Sequence, residues 1–421
     1  MRNQTTATGA FATVTALFFA WGFITSLVDP LVAAVKTIFD LSNLEAQLST
    51  FAFFIAYGAF SIPAALLLAR LRPVRGIVLA LAIMVGACAI MLLASNFGTY
   101  ALVLAGLFVM AAGITVLQVT ANPLAASLGS PERSHLRLNL SQAFNSLGTV
   151  LGPLVGAGLL LKGLDLPQGE QFGSGARTEA LAAINTAFLI IGALILSLAV
   201  FIWIMRKRIE RAAPPGQALA GIAGTLSQVK SSRWAMLGSA AIFLYVGAEV
   251  AIGTQMALFL ADPAVWNTPL QQAGYFVSLY WLGAMVGRFA GAGLMIALPA
   301  HRLLTVATAS ACLLCLFVFY TGGSAAGYAA LAVGIFNSIM FPTIFTLTLE
   351  RSTASSEATS GFLCTAIIGG AFVPLAAGAI SDSYGYVASF ILPAACYATL
   401  CLFAIASGRS TINRSDKPEP K

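Results

Sequence analysis

Charged residues are scarce in this chain, and their scarcity excludes most classes of soluble protein. Asp, Glu, Lys and Arg together make up 9% of the 421 residues, against roughly a quarter in a soluble domain. The two histidines, His135 and His301, fall in predicted loops and are too isolated to bind a metal. Because neither clustered metal ligands nor a nucleophile beside a base is present, we expect no enzyme activity, no metal and no cofactor.

Cysteines outside the apolar stretches are also missing, which excludes a disulfide framework. Cys312 and Cys315 have the spacing of a CxxC motif, but no histidine or acidic ligand is close to them in the sequence. We interpret all of the cysteines as packing residues. They are Cys88, Cys312, Cys315, Cys364, Cys396 and Cys401.

Long apolar stretches are what the chain has in abundance. Hydrophobic residues account for 59% of the sequence, and stretches of about 20 apolar residues recur along almost its whole length, as in polytopic membrane proteins. The first stretch contains Asp29, is too long for a signal peptide and lacks a cleavage site, so we interpret it as a helix. The twelve predicted spans are residues 11–38, 45–69, 75–95, 98–128, 136–161, 179–205, 234–261, 270–297, 303–320, 325–349, 357–381 and 387–408.

The basic residues predict the orientation of the chain in the membrane. With both termini in the cytoplasm, eighteen of the 22 Lys and Arg residues lie on the cytoplasmic side. Only Lys36, Lys162 and Arg177 lie on the outer side, and Arg288 lies within a span. The basic residues occupy short loops between spans, so we attribute the net charge of +7 to membrane topology and expect no binding to nucleic acid.

The longest cytoplasmic connection divides the predicted helices into two sets of six. It contains Pro214-Pro215-Gly216, which is typical of a linker rather than of a span. We therefore predict an all-α membrane protein of two six-helix bundles. The predicted domains are an N-terminal bundle at residues 1–205, a linker at 206–233 and a C-terminal bundle at 234–421.

The two halves also resemble each other in sequence. Gly58-Ala59 in the second span matches Gly283-Ala284 in the eighth, and Pro153-Leu154 in the fifth matches Pro374-Leu375 in the eleventh. These matches predict two parallel six-helix repeats. Proteins built in this way bind their ligands near the middle of the membrane, between the repeats.

Polar residues form two stripes, one in the fourth span and one in the fifth. At about 100° per residue, the members of each stripe share one face of a helix. Amides in hydrocarbon cost free energy unless they find partners, so the stripes predict a wet cavity between helices. The alternative is that they hold the helices together. The first stripe comprises Thr115, Gln118 and Asn122, and the second comprises Asn139, Gln142 and Asn145.

Asp29 is one of three ionisable residues that lie well inside predicted spans. A charged aspartate near the bilayer centre costs roughly 2.5–3.5 kcal/mol on insertion scales. Desolvation favours the neutral acid, so such a group can take up a proton on one side and release it on the other. The alternative is a permanently protonated aspartate that is bonded to a neighbouring helix.

Glu249 and Arg288 are the other two ionisable residues within spans. Glu249 shares a helix face with Tyr245 and with Gly253, where the missing side chain leaves a gap for a ligand. We leave open whether Glu249 contacts a ligand or bonds to another helix. For Arg288 we predict a gating ion pair with Glu350, or with Glu357, that closes the cytoplasmic side; snorkelling to the interface is the alternative.

Aromatic rings accompany these polar residues, and together they suit a sugar. A sugar carries hydroxyls at its rim and C–H groups on its faces. Carboxylates and amides can bond adjacent hydroxyls, while a flat ring covers the apolar face. The candidate sugar-binding residues are Trp21, Gln118, Gln142, Asn145, Tyr245, Glu249, Asn337 and Phe341.

At several motifs the sequence resembles the fucose–galactose–glucose/proton symporter family of the major facilitator superfamily. The matching segments include Phe19-Ala20-Trp21-Gly22-Phe23, Arg137-Leu138-Asn139-Leu140, Tyr245-Val246-Gly247-Ala248-Glu249 and Gly287-Arg288-Phe289. The resemblance extends over nearly the whole chain. It implies twelve helices, alternating access and proton-coupled import of a monosaccharide, and we expect a monomer in a bacterial inner membrane.

The resemblance also assigns roles to single residues. Asp29 matches the family's proton-coupling aspartate, Gln142 and Asn145 match sugar-contacting amides, and Trp21 matches an aromatic residue near the sugar.

The departures from the family pattern bear on the substrate. Fucose transporters carry a glutamate at the position of Gln118, a glutamine at that of Glu249 and a tyrosine at that of Phe341. The chain is therefore closer to the glucose/galactose branch. Sodium coupling with the same fold and, more distantly, drug efflux remain alternatives.

Overall fold

A computed structural model describes most of the chain, and within the described residues it is helical and contains no strand. The middle of the predicted linker, residues 213–228, lies outside the described part. The described residues are 2–68, 71–128, 134–162, 164, 174–212, 229–295, 297–354 and 356–410.

The first half of the chain forms the helices α1 to α7. The first predicted span consists of two of them, α1 and α2, which meet at Leu27. The bounds are α1 Arg2–Ser26, α2 Val28–Phe39, α3 Asn43–Leu68, α4 Pro73–Phe97, α5 Tyr100–Ser127, α6 Ser134–Leu160 and α7 Ser174–Ala212.

The second half forms the helices α8 to α16. A 3₁₀ turn, Ala366–Ile368, joins α13 to α14. The bounds are α8 Arg233–Ala261, α9 Leu270–Leu294, α10 Ala300–Thr321, α11 Gly323–Asn337, α12 Met340–Arg351, α13 Ser356–Thr365, α14 Gly369–Tyr384, α15 Tyr386–Ser389 and α16 Ile391–Arg409.

Ten helical segments of the described chain are long and apolar enough to cross a membrane. Two further long helices occupy the positions of the second and eighth predicted spans. These are α3, with 26 residues, and α9, with 25. At about 1.5 Å per residue, both exceed the roughly 30 Å thickness of the hydrocarbon core. The described helices are therefore consistent with the twelve predicted spans.

Four spans that were predicted as continuous helices are interrupted, and three of the interruptions lie three residues before a proline. These three are at Leu27, before Pro30, at Ile339, before Pro342, and at Phe390, before Pro393. Proline has no N–H to bond the carbonyl four residues earlier. The carbonyl of Ser338 is free for this reason and accepts a hydrogen bond from Arg288 Nε at 3.4 Å.

The helix of the sixth predicted span, α7, continues beyond the predicted span end at residue 205 to Ala212. The charged residues after 205 suggested a linker, but they occupy the exposed side of a continuing helix. Ile202 and Ile209 are both fully buried, two turns apart on one face. An exposed ion pair at 3.2 Å joins Glu210 to Arg72, at the start of α4.

The two halves meet mainly along two helix pairs, with a smaller contact between α2 and α8. α3 packs against α14, and α6 packs against α9. These helices correspond to spans 2 and 11 and to spans 5 and 8. Exchanging the halves turns one pair into the other, which is the arrangement expected of two repeats related by a two-fold axis.

The ends of the halves that are predicted to face outward are in direct contact; we call this end of the molecule the outer end. The carboxylate of Asp382 in the C-terminal half accepts from the backbone N–H groups of Asn43 (2.6 Å) and Leu44 (2.8 Å). These groups open α3, where helical N–H donors lack partners within the helix. Deeper in the same interface, Thr254 Oγ1 donates to Gln47 Oε1 at 3.2 Å. The outer side is therefore closed.

Candidate functional site

Asp29 is buried between the two halves and contacts the C-terminal half directly. It lies in the first turn of α2 and is 4% exposed. The indole Nε1 of Trp281, on α9, donates a hydrogen bond to Asp29 Oδ2 at 2.7 Å. Gly253 on α8 leaves room for both side chains, since a Cβ there would lie 3.3 Å from the Trp281 ring and 3.6 Å from Asp29 Oδ1. The gap predicted to admit a ligand at Gly253 is filled by these residues.

A second cluster surrounds Glu249 in the C-terminal half. The hydroxyl of Tyr245, one turn earlier on α8, donates to Glu249 Oε1 at 2.6 Å. Tyr280 on α9 donates to the backbone carbonyl of Glu249 at 3.1 Å and accepts from Asn337 Nδ2 at 2.7 Å. These hydrogen bonds hold Glu249 in place. Because Glu249 is half-buried, part of its surface stays accessible.

Asn337 and Phe341 extend this cluster across the break between α11 and α12. Asn337 is fully buried, and its Oδ1 atom has no hydrogen-bond partner although its amide nitrogen has one. Phe341 is half-buried, with its ring centroid 6.3 Å from that of Tyr245. An orphaned buried acceptor beside two aromatic rings is an arrangement that a hydroxyl-bearing ligand could complete.

Tyr280 and Trp281 connect the two acids, and the sequence analysis missed both. The tyrosine bonds the backbone of Glu249, and the adjacent tryptophan bonds the side chain of Asp29. A signal was present in the sequence, because Tyr and Trp usually lie at the membrane interfaces, whereas this pair lies in the middle of a span.

The amides of the N-terminal half are placed in two different ways. Gln118 is half-buried and donates from Nε2 to the hydroxyl of Tyr57 at 3.3 Å. Gln142 is half-buried, and no hydrogen bond to another described residue holds its side chain. The side chain of Asn139 lies outside the described part of the chain. Gln118 and Gln142 thus have polar groups available to a ligand, and Asn122 in the first stripe has a buried Oδ1 atom without a hydrogen-bond partner.

Asn145 and Trp21, both predicted to contact sugar, make packing contacts within the N-terminal half. Asn145 Nδ2 donates to the backbone carbonyl of Phe18 at 3.1 Å, so this amide does hold two helices together. A side chain at Gly22 would collide with Asn145, which shows how closely α1 approaches α6. Trp21 is 5% exposed and packs against Phe18, with the ring centroids 4.2 Å apart and the ring planes tilted by 37°.

The predicted ion pair between Arg288 and Glu350 is not formed. Glu350 is exposed and pairs with its neighbour Arg351 at 3.1 Å. Arg288 instead reaches across to the N-terminal half, where its Nη1 donates to Ser146 Oγ at 2.6 Å. The side chain of Glu357 lies outside the described residues. Arg288 therefore joins the halves through neutral oxygens, including the Ser338 carbonyl that Pro342 leaves free.

Two named proteins are similar to this chain over nearly its full length. The glucose/galactose transporter of Brucella abortus biovar 1 (strain 9-941) is 38% identical over 406 residues, which cover 95% of this chain and 94% of that protein. The L-fucose-proton symporter of Escherichia coli (strain K12) is 31% identical over 421 residues, which cover 96% and 94%.

The fold is also that of a solved transporter. The crystal structure of FucP, a major facilitator superfamily transporter, in its outward conformation matches with a TM-score of 0.70 and 28% identity. The match covers 94% of this chain and 98% of that one. The family model of the Major Facilitator Superfamily matches residues 10–363. The chain therefore belongs to the major facilitator superfamily and, within it, to the fucose–galactose–glucose/proton symporter family that its motifs predicted.

Proposed function

We propose that this protein imports a monosaccharide, a hexose such as glucose or galactose or a closely related sugar, together with protons. The observation that carries the proposal is the pair of acids between the halves. Asp29 in one half and Glu249 in the other are linked through Tyr280 and Trp281. Glu249 would bind the substrate and Asp29 would bind protons. Both residues are hydrogen-bonded to side chains of the same helix, α9. Alternating access by rocking of the halves would expose both in turn to each side.

The polar and aromatic groups near Glu249 support a sugar as the substrate. Glu249, Gln118 and Gln142 are half-buried acceptors and donors, and Tyr245 and Phe341 supply rings at the same site. Buried polar groups that stay unpaired cost free energy, which a ligand's hydroxyls can recover. The sugars named for the two relatives agree with this chemistry.

Protons rather than sodium ions are favoured by the surroundings of Asp29. Sodium would need several oxygen ligands around the carboxylate. The N–H group of Trp281, 2.7 Å from Asp29 Oδ2, occupies one position where such an ion would bind. Among the described residues, the ion pairs join Arg72 to Glu210 and Arg351 to Glu350, so neither involves Asp29. A buried carboxylate without a counter-ion favours the protonated form.

The substrate class can be tested by competition. Purified protein in proteoliposomes should take up labelled glucose or galactose under an imposed proton gradient, and unlabelled hexoses should reduce this uptake at least tenfold. Hydrophobic cations should not compete, because amides and acids with rings match a sugar's hydroxyls. A sodium gradient without a proton gradient serves as the control for the coupling ion. Competition by such cations and by no sugar would assign the protein to drug efflux.

We also propose a bacterial inner-membrane location with both termini in the cytoplasm, a monomer, and two bundles joined by the linker at residues 206–233. Cysteines replacing Gly169 and Gly216 should then react with a membrane-impermeant reagent from opposite sides, the first from outside. The measurement is labelling of intact cells against that of inverted vesicles, with the cysteine-free parent as the control. Labelling of both positions from one side would contradict the twelve-span threading.

A further inference from the structure

The hydrogen bond between Trp281 and Asp29 crosses the boundary between the halves. The two residues are 252 positions apart in the chain, one on α2 and the other on α9. The outer ends of the halves are closed over this bond by the contact of Asp382 with the start of α3. Opening the outer side requires the two halves to separate, including Asp382 from α3 and α9 from α2. The bond is therefore a feature of the outer-closed state.

The chemistry of the indole makes the bond sensitive to ionisation. Trp Nε1–H is a donor only and cannot accept a proton from the acid. A carboxylate accepts such a bond about twice as strongly as the neutral acid does, because the bond to the charged form is charge-assisted. A hydrogen bond to the charged form favours ionisation. Trp281 thus opposes, in this state alone, the effect of burial on Asp29.

We propose that Trp281 is the positioning residue that promotes release of the proton from Asp29 when the outer side is closed. The proposal rests on the proposed role of Asp29 in proton coupling. In the outer-closed state the indole stabilises the ionised carboxylate, so the proton leaves toward the cytoplasm. When the outer side opens, the indole withdraws, and the buried acid takes up a proton from outside. By linkage, an ionised Asp29 also stabilises the closed outer side.

Other groups act on Asp29 but do not change the direction of this effect. The titratable groups near Asp29 on the packed helices are Glu249 on α8 and Tyr280 on α9. Neither is hydrogen-bonded to the Asp29 carboxylate. Among the described residues, Trp281 is the side chain that donates a hydrogen bond to this carboxylate.

The test separates transport that requires proton release from transport that does not. Net sugar uptake without a proton gradient requires Asp29 to release its proton on the inner side in every cycle. In sugar exchange the carrier returns with sugar and proton bound, so no proton has to be released. In Trp281→Phe, the pH for half-maximal net uptake should rise by about one unit, the size expected for loss of one charge-assisted bond. Exchange should stay within about twofold of wild type, since tenfold corresponds to about 1.4 kcal/mol.

Trp266→Phe is the matched control. Trp266 also donates its indole N–H, at 3.0 Å, but to the backbone carbonyl of Ser324, far from Asp29 in the outer part of the C-terminal half. Trp281→Gln retains an N–H donor and should shift the pH profile by less than half as much as Trp281→Phe. If the phenylalanine variant does not fold, Trp281→Leu, which also lacks an N–H donor, takes its place, with the same expected shift.

The outcomes distinguish this inference from the function on which it rests. An unchanged pH profile in Trp281→Phe with normal exchange would overturn the role of Trp281, as would an equal shift in Trp266→Phe. In either case Asp29 could still be the coupling residue. If instead Asp29→Asn accumulated sugar normally, the proposed coupling itself would fail.

Discussion

Replacing Asp29 with asparagine is expected to abolish proton-driven accumulation of sugar while sugar exchange continues. Asparagine has nearly the shape of the protonated acid but binds no proton at neutral pH. Its carbonyl can still accept the bond from Trp281, so the contact between the halves is retained. With one proton per sugar, a gradient of one pH unit supports about tenfold accumulation, and the variant should reach a ratio of about one.

The measurement is uptake of labelled sugar into proteoliposomes, with and without a pH gradient, alongside exchange at equal pH. Asp262→Asn is a suitable control, because Asp262 caps a turn at the outer end of α8 by accepting from the backbone N–H of Ala264 at 2.7 Å. That variant removes an acid from a half-buried position in the C-terminal half without changing the site. Gradient-driven accumulation by Asp29→Asn at the wild-type level would remove Asp29 from the coupling mechanism.

Replacing Glu249 with glutamine should weaken sugar binding by tenfold or more and leave proton coupling largely intact. Charge-assisted hydrogen bonds to sugar hydroxyls contribute about 1.5–3 kcal/mol, and about 1.4 kcal/mol corresponds to one decade of affinity. Tyr245 already donates to Oε1 at 2.6 Å. We therefore expect the other oxygen of Glu249 to accept from the sugar, and glutamine would present an uncharged group there.

The affinity of Glu249→Gln is best measured by calorimetry in detergent, at a pH where the wild type binds sugar well. Tyr245→Phe is the matched control, since it removes the hydroxyl that positions Glu249 but leaves the acid. Its affinity should fall less than that of Glu249→Gln. Normal binding by Glu249→Gln together with lost proton-driven accumulation would reverse the assignment of the two acids.

Much of this protein follows from the sequence alone, because membrane insertion is decided locally. Each apolar stretch of about 20 residues is stable in hydrocarbon only as a helix, whatever its neighbours do. The spans, the fold class and the family therefore follow from local pattern and motif. Asp29 and Glu249 can also be identified from the sequence alone. An acid within the hydrocarbon core costs free energy, so it is found there when it has a function or a bonding partner.

The sequence is least informative where a local signal competes with packing. The charges after residue 205 suggested a loop, yet burial of Ile209 extends α7 to Ala212. Asn145 looked like a ligand for sugar, yet one of its N–H groups bonds the backbone of Phe18. Arg288 was expected to meet an acid, but Ser146 and the carbonyl freed by Pro342 are closer.

Only the tertiary structure decides which residue faces which across the two halves. Helical periodicity places Trp281 on a face of its helix, but the identity of the opposing residue depends on how α9 and α2 pack, and those helices lie far apart in sequence. Small residues such as Gly253 set that packing by allowing close approach. The sequence by itself determined a twelve-span sugar-transporter fold with two buried acids. The contact that joins one of them to Trp281 arises from long-range packing, which no local pattern encodes.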